Sequence, residues 1–254
     1  LRQRPRGLFA IHCSLRSSYN CRVADNCPRN PPTLAEALRD YRWASDLTDA
    51  EFARVEAGVF ERKVSQGGFI CRKGEAVEHW VGLIDGLAKM STDLDSGKTA
   101  TLTGLAPGGW FGEGSLLKTE PRRYDVVALR DSRVAYMRRE TFQWLLDHSI
   151  SFNRYVVIQL NERLGQFIGL LESERLLDTD ARVARCLATL FNPVLYPGLG
   201  RQLQVSQEEI GYLTGVSRQR VNRSLKVLQF AGYLRIDYGS ITILDLPGLR
   251  RFGG

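Results

Sequence analysis

One stretch constrains this chain more than any other: Val205-Ser-Gln-Glu-Glu-Ile-Gly-Tyr-Leu-Thr-Gly-Val-Ser-Arg-Gln-Arg-Val-Asn-Arg-Ser-Leu-Lys-Val-Leu228. Ser206 and Glu209 have the spacing of a capping box, in which hydroxyl and carboxylate each satisfy a free backbone N–H at a helix start. Gly215 falls where a tight turn is needed, and Ser217 is placed to cap the next helix. Ile210, Leu213, Val216, Val221 and Leu225 are spaced to bury the faces of two crossed helices, so the pattern predicts a helix-turn-helix. The second helix would display Arg218, Gln219, Arg220, Asn222, Arg223 and Lys226. An arginine can grip guanine O6 and N7 with both ends of its fork, and Gln or Asn can pair with adenine. With the capping Ser206 and Ser217, these are the candidate DNA-binding residues. A solvated charged face would explain the charges, but not the caps, the turn and the apolar spacing together. The β-prone runs Tyr233–Asp237 and Ile241–Leu244 flank Tyr238-Gly-Ser240 and predict a hairpin, a wing whose contacts would be mainly to phosphates.

Charge supports this reading. The net charge is +7. Residues 182–254 carry ten Lys/Arg against four Asp/Glu, and residues 1–31 carry six Arg against one Asp, so the middle of the chain is acidic. A basic C-terminal block on an acidic body points to an anionic partner, nucleic acid first. No run of about 18 apolar residues is present, so no membrane partner is expected. The Arg-rich start lacks the apolar core of a secretory signal, and its first residue is Leu1, consistent with a fragment or a misassigned start codon. Five cysteines, an odd and scattered set, make a poor disulfide framework and suit a reducing cytoplasm. No nucleophile motif or metal-ligand pair is visible, so enzymatic activity is not expected.

The rest of the chain divides by pattern. Residues 1–32 lack periodicity and read as a loose basic extension. A helix is expected over 33–44, and Thr48 with Glu51 forms another capping box, starting a helix to about Ala57. From Phe60 to Arg138, short apolar stretches alternate with Gly and Asp punctuation, the signature of an all-β sandwich or barrel. Within it, residues 80–90 read as two strands joined at Asp85-Gly86. Residues 140–177 return to helical spacing, with Val156, Leu160, Leu164, Phe167 and Leu171 as an apolar stripe fit for a dimer seam. The expected fold class is α+β: a jelly-roll-like β-roll in an effector domain over 33–148, a dimerisation helix over 149–178 and a winged helix-turn-helix over 179–254.

Taken together, four segments resemble the Crp/Fnr family of bacterial transcription regulators. They are Gly74-Glu75 before the Trp80–Gly86 strand pair, Gly108–Ser115, Leu177–Ala184 and the helix-turn-helix itself; the resemblance runs from about residue 48 to 246. It implies a homodimer on a pseudo-palindromic double-stranded site, gated by a small effector at a cyclic-nucleotide-binding-type roll, with RNA polymerase as partner if the protein activates. In cAMP-binding members, a Gly-Glu and an Arg-Ser hold the ribose and cyclic phosphate. Here Gly112, Glu113 and Arg123 match, while Tyr124 stands at the Ser position. The Thr-Ser pair that holds adenine corresponds to Phe167-Ile168, which is apolar. The implied effector is therefore cAMP or another small molecule. In the recognition helix Ser217, Arg218 and Arg223 match the family, and Gln219 replaces a cytosine-reading Glu.

Two other sensing chemistries occur in the family. Cys13, Cys21, Cys27 and Cys71 would be the iron–sulfur ligands, but their spacing does not reproduce the closely spaced pair of the Fnr branch. His79 is the candidate haem ligand, without a visible partner. Against an effector-gated regulator stands an effector-independent repressor that uses the roll as a dimer scaffold, a reading the apolar Phe167-Ile168 favours.

Overall fold

The computed structural model describes residues 32–93, 99–176, 178–197 and 199–253, with backbone alone at 173–176. Two short helices come first, α1 (Leu34–Arg39) and α2 (Asp49–Gly58), and both begin in full capping boxes. Thr48–Glu51 is the box expected from the sequence; Thr33–Glu36 is a further one. The predicted helix over 33–44 stops at Arg39, and turns carry the chain to Trp43, which is buried.

Eight strands follow: β1 (Val59–Val64), β2 (Phe69–Cys71), β3 (His79–Asp85), β4 (Ala88–Asp93), β5 (Thr99–Leu105), β6 (Trp110–Phe111), β7 (Asp125–Ala128) and β8 (Ser132–Arg138). Helix α3 (Glu113–Lys118) sits between β6 and β7. The strands make two antiparallel four-stranded sheets, ordered β1-β8-β3-β6 and β2-β7-β4-β5. The two strands predicted around Asp85-Gly86 are both present, but they belong to opposite sheets. Gly86 makes this passage with φ of 105°, and a Cβ there would lie 2.2 Å from the Ser132 hydroxyl.

The first sheet is buried on both faces, because successive side chains point to opposite sides. Val81, Leu83, Val134 and Tyr136 face the second sheet; Trp80, Ala135 and Met137 face the helices. There Trp43, Trp80, Trp110, Phe142 and Phe152 form an aromatic cluster, with the Trp80 and Trp110 rings 4.4 Å apart. Aromatic pairs of this kind add to the area they bury. Gly82 is required by this cluster, since a Cβ would stand 2.5 Å from the Trp110 ring.

The helical run predicted over 140–177 is two helices, α4 (Arg139–His148) and α5 (Ile150–Leu176). The break falls at Ser149, which is extended; the Asn153 amide donates back to the Leu146 and Ser149 carbonyls. Helix α5 has two working faces rather than one stripe. Phe152, Tyr155, Val156, Gln159 and Arg163 are buried against the chain's own roll. Ile150, Val157, Leu164 and Leu171, every seventh residue, are exposed, as are Leu160 and Ile168. Val156 and the half-buried Phe167 therefore belong to the inner side, not to the outer stripe.

The C-terminal part comprises α6 (Thr179–Leu190), β9 (Gln202–Gln204), α7 (Gln207–Thr214), α8 (Arg218–Phe230), β10 (Leu234–Asp237), β11 (Ser240–Ile243) and α9 (Leu246–Arg251). The predicted hairpin is part of a three-stranded sheet, β10-β11-β9, and the described chain continues past it into α9. Three residues of β9 are too few to show a period. One apolar core joins α6–α9 to Leu87, Ala106 and Leu129 of the roll. No described helix is long and apolar enough to cross a membrane.

Overpacking a filled core costs about 1–3 kcal/mol. Gly82→Ala should therefore lower stability by about that amount, seen as a fall in the urea midpoint with unchanged slope.

Candidate nucleic-acid interface and roll site

Helices α7 and α8 form the helix-turn-helix as the sequence requires. The Ser206 hydroxyl accepts from the Glu209 N–H at 3.2 Å while the Glu209 carboxylate accepts from the Ser206 N–H at 2.7 Å. Gly215 ends α7 in the left-handed region at φ 67°, and the Ser217 hydroxyl accepts from the Arg220 N–H at the start of α8. Ser206 and Ser217 thus act first as caps. Val221, Leu225 and Leu228 bury the inner face of α8.

The outer face is set by helical spacing: residues 218, 222 and 226, and 219 and 223, recur at i,i+4 and share one side. Arg218, Gln219, Arg223 and Lys226 are exposed there. None of them makes an ion pair or side-chain hydrogen bond among the described residues, so their donors are free for a ligand. Two predicted readers are already engaged. Arg220 lies 3.5 Å from Asp180 of α6, whose carboxylate also accepts from the Ser224 hydroxyl at 2.6 Å. Asn222 accepts from the Gln207 side chain. Arg220 and Asn222 are thus tied to the scaffold that aims α8.

The roll carries a second polar cluster. Gly112 precedes α3 with φ of 96°, and a Cβ there would fall 2.4 Å from the Arg122 guanidinium. Arg122 is buried, and its Nη2 donates to the His79 carbonyl at 2.9 Å. Arg123, matched by sequence to the phosphate-binding position, is instead on the surface, paired with Glu120 at 2.6 Å. The guanidinium beside Gly112 is thus that of Arg122, one residue before the arginine matched by sequence. The difference follows the strand once its alternation is known: Arg122 shares the period-two parity of the buried Val126 and Ala128, whereas Arg123 does not.

Glu113 is buried, with one oxygen 3.5 Å from Arg163 Nε of α5. Arg163 and Gln159 both donate to the Trp110 carbonyl at 2.8 Å. Several buried atoms here have no hydrogen-bond partner among the described residues: Glu113 Oε2, Arg122 Nη1, Gln159 Oε1, and Arg163 Nε and Nη1. A buried polar atom left unsatisfied costs about 1–3 kcal/mol, so these atoms have hydrogen-bonding capacity to spare. Tyr124 and Phe167 pack beside it against the core between the sheets. Burial, reinforced by the Glu113 charge, pushes the Tyr124 phenol up to about 12, so it stays a neutral donor.

The other predicted sensing residues have ordinary surroundings. The His79 ring meets Phe60 and Tyr136 edge-on, at 5.3 and 5.8 Å, and burial holds its pKa below the usual value. Cys71 is buried, and burial raises its thiol to about 11. Cys13, Cys21 and Cys27 lie outside the described residues.

A β-roll joined through a long helix to a winged helix-turn-helix with a free cationic face defines a type of DNA-binding regulator. Residues 61–149 match the model of the cyclic nucleotide-binding domain, and residues 181–252 that of the Crp-like helix-turn-helix domain. The chain belongs to the Crp/Fnr family of transcription regulators, and it is a DNA-binding protein of that kind. It is similar to the CRP-like cAMP-activated global transcriptional regulator of Mycobacterium tuberculosis, 27% identical over 73% of this chain and 84% of that one. It is similar also to the cyclic AMP receptor protein of Thermus thermophilus, 28% identical over 73% and 85%. The structure of FixK2 from Bradyrhizobium japonicum shares the fold, with a TM-score of 0.62 at 18% identity, covering 77% of this chain and 98% of that one.

If Arg218 reads a base, Arg218→Ala should cost about 1–3 kcal/mol of specific binding and relax preference at one base pair. Fluorescence anisotropy against a panel of half-site variants measures this; unchanged specificity would remove Arg218 from direct readout.

Proposed function

We propose that the chain acts as a homodimer, paired along the outer face of α5, on a pseudo-palindromic double-stranded site, and that a small anionic effector in the roll controls it. One observation carries this reading: Arg163 and Gln159, with unpartnered atoms in the roll cluster, stand on the same helix whose opposite face exposes Ile150, Val157, Leu164 and Leu171. Apolar residues at every seventh position, reinforced by Leu160 and Ile168, form the seam of a two-stranded coiled coil. Two-fold pairing there would set two α8 helices about one DNA turn apart.

An effector would place an anionic group against Arg122 Nη1 and a hydroxyl against Glu113 Oε2, and would draw on Arg163. It thus touches the helix that forms the seam. Preferential binding to one arrangement of the two copies shifts the population toward it. Cyclic nucleotides are the first class to consider, since the M. tuberculosis and T. thermophilus relatives carry cAMP in their names. RNA polymerase is the partner if the regulator activates. The outward Arg218, Gln219, Arg223 and Lys226 would read bases or phosphates, and the exposed wing-tip Tyr238 would lie near the backbone.

A second reading rests on Tyr124 and Phe167, partly buried side chains that both pack against the core between the sheets. It makes the roll a dimer scaffold for an effector-independent repressor.

Calorimetric titration with cAMP of the unmodified chain, Arg122→Gln and Arg123→Gln separates the two. The effector reading predicts saturable binding, one per chain, abolished in Arg122→Gln and retained in Arg123→Gln. Binding lost only in Arg123→Gln would return the site to the surface arginine. No heat from the unmodified chain would favour the scaffold.

A further inference from the structure

A cavity of about 210 Å³ lies away from the roll cluster, where α5 passes α6 and α9. Its wall on α5 carries Gly165 and Gly169. Glycine inside a long helix costs stability relative to alanine. Tight packing often justifies it, yet a Cβ built at either position meets no atom within 4 Å.

The opposite wall supplies charge. Arg185 of α6 and Arg250 of α9 both line the cavity, and neither has an ion-pair partner among the described residues. Arg185 Nε is fully buried with no hydrogen-bond acceptor. The carboxylate in this wall, Glu162, accepts from the Asn192 amide at 2.7 Å and lies beyond ion-pair distance of both arginines. Asn192 in turn is held by the Val194 and Leu195 N–H groups, which fixes this side of the cavity. Two arginines thus line one cavity, and no carboxylate among the described residues pairs with either. A planar donor fork suits carboxylate and phosphate oxygens.

We propose that this cavity is a second ligand site, one that takes the phosphate or carboxylate group of a small metabolite between Arg185 and Arg250. The volume is below the roughly 300–1,000 Å³ usual for drug-sized ligands, so the ligand is small. Its walls come from α5 on one side and from α6 and α9 of the DNA-binding part on the other. An anion bound there bridges these elements and fixes how α6 leaves the end of α5. The site does not depend on whether the roll binds an effector.

The test is calorimetric titration of the full chain with inorganic phosphate and, separately, with succinate, at constant ionic strength. Saturable binding of one anion per chain is expected. Arg185→Gln and Arg250→Gln should each weaken it by about tenfold, the scale of one lost charge-assisted bond, whereas Arg122→Gln in the roll should not change it. Response to phosphate alone identifies a phosphate ligand, and response to succinate alone a carboxylate. The exposed Arg250 keeps the test valid if Arg185→Gln fails to fold. The proposal is overturned if neither anion binds saturably, if both arginine variants bind as tightly as the unmodified chain, or if only Arg122→Gln loses binding.

Discussion

The guanidinium of Arg163 is the contact on which the rest of the arrangement depends. It is buried, it donates to the Trp110 carbonyl, and it stands 3.5 Å from the buried Glu113. Removing one partner of a buried ion pair leaves the other uncompensated, a cost of about 3–5 kcal/mol. Arg163 therefore holds α5 to the β6–α3 corner of the roll in one rotation about its own axis. That rotation decides which side chains face outward. With Arg163 and Gln159 turned inward, Val157, Leu164 and Leu171 must face away. A purely apolar inner face would tolerate slippage far better, because dispersion contacts are non-directional and hydrogen bonds are not.

A second directional contact fixes the DNA-binding part. Arg130, in the turn between β7 and β8, forms a two-pronged pair with Glu209 of α7. Glu209 is also the acidic half of the capping box, so one carboxylate closes the helix and ties it to the roll. Nearby, the Tyr196 hydroxyl donates to the Gly104 carbonyl at 2.9 Å, and a Cβ on Gly104 would meet Leu190 and Leu213. The helix-turn-helix is thus seated on strand β5, with the outer face of α8 left free.

Much of this was legible in the sequence, for physical reasons. The Thr48–Glu51 and Ser206–Glu209 boxes and the Gly215 turn are local, and local chemistry survives without knowledge of distant partners. The outward placement of Arg218, Gln219, Arg223 and Lys226 was legible because their spacing alone sets their side of α8. Long-range features were not legible. Nothing local distinguishes Arg122 from Arg123 until the alternation of β7 is known. The partner of Glu113 lies fifty residues away on α5, and that of Glu209 is 79 residues earlier in the roll. The single apolar stripe read from Val156 to Leu171 merged two faces, because hydrophobicity alone does not say whose core a residue enters. The placement of the Asp85-Gly86 strands in opposite sheets is likewise a matter of topology, which periodicity does not encode.

The two-faced character of α5 is the central claim, and oxidative cross-linking tests it most directly. If two copies pair along the outer face of α5, Leu164→Cys would set a thiol opposite its copy, near the roughly 4.4–6.8 Å Cα separation of a disulfide. Glu162→Cys would face the chain's own α6 instead. Copper-phenanthroline oxidation, compared with the unmodified chain, should give a covalent dimer from Leu164→Cys well above the background and none beyond it from Glu162→Cys. Equal cross-linking at the two positions, or none at Leu164→Cys, would contradict the account.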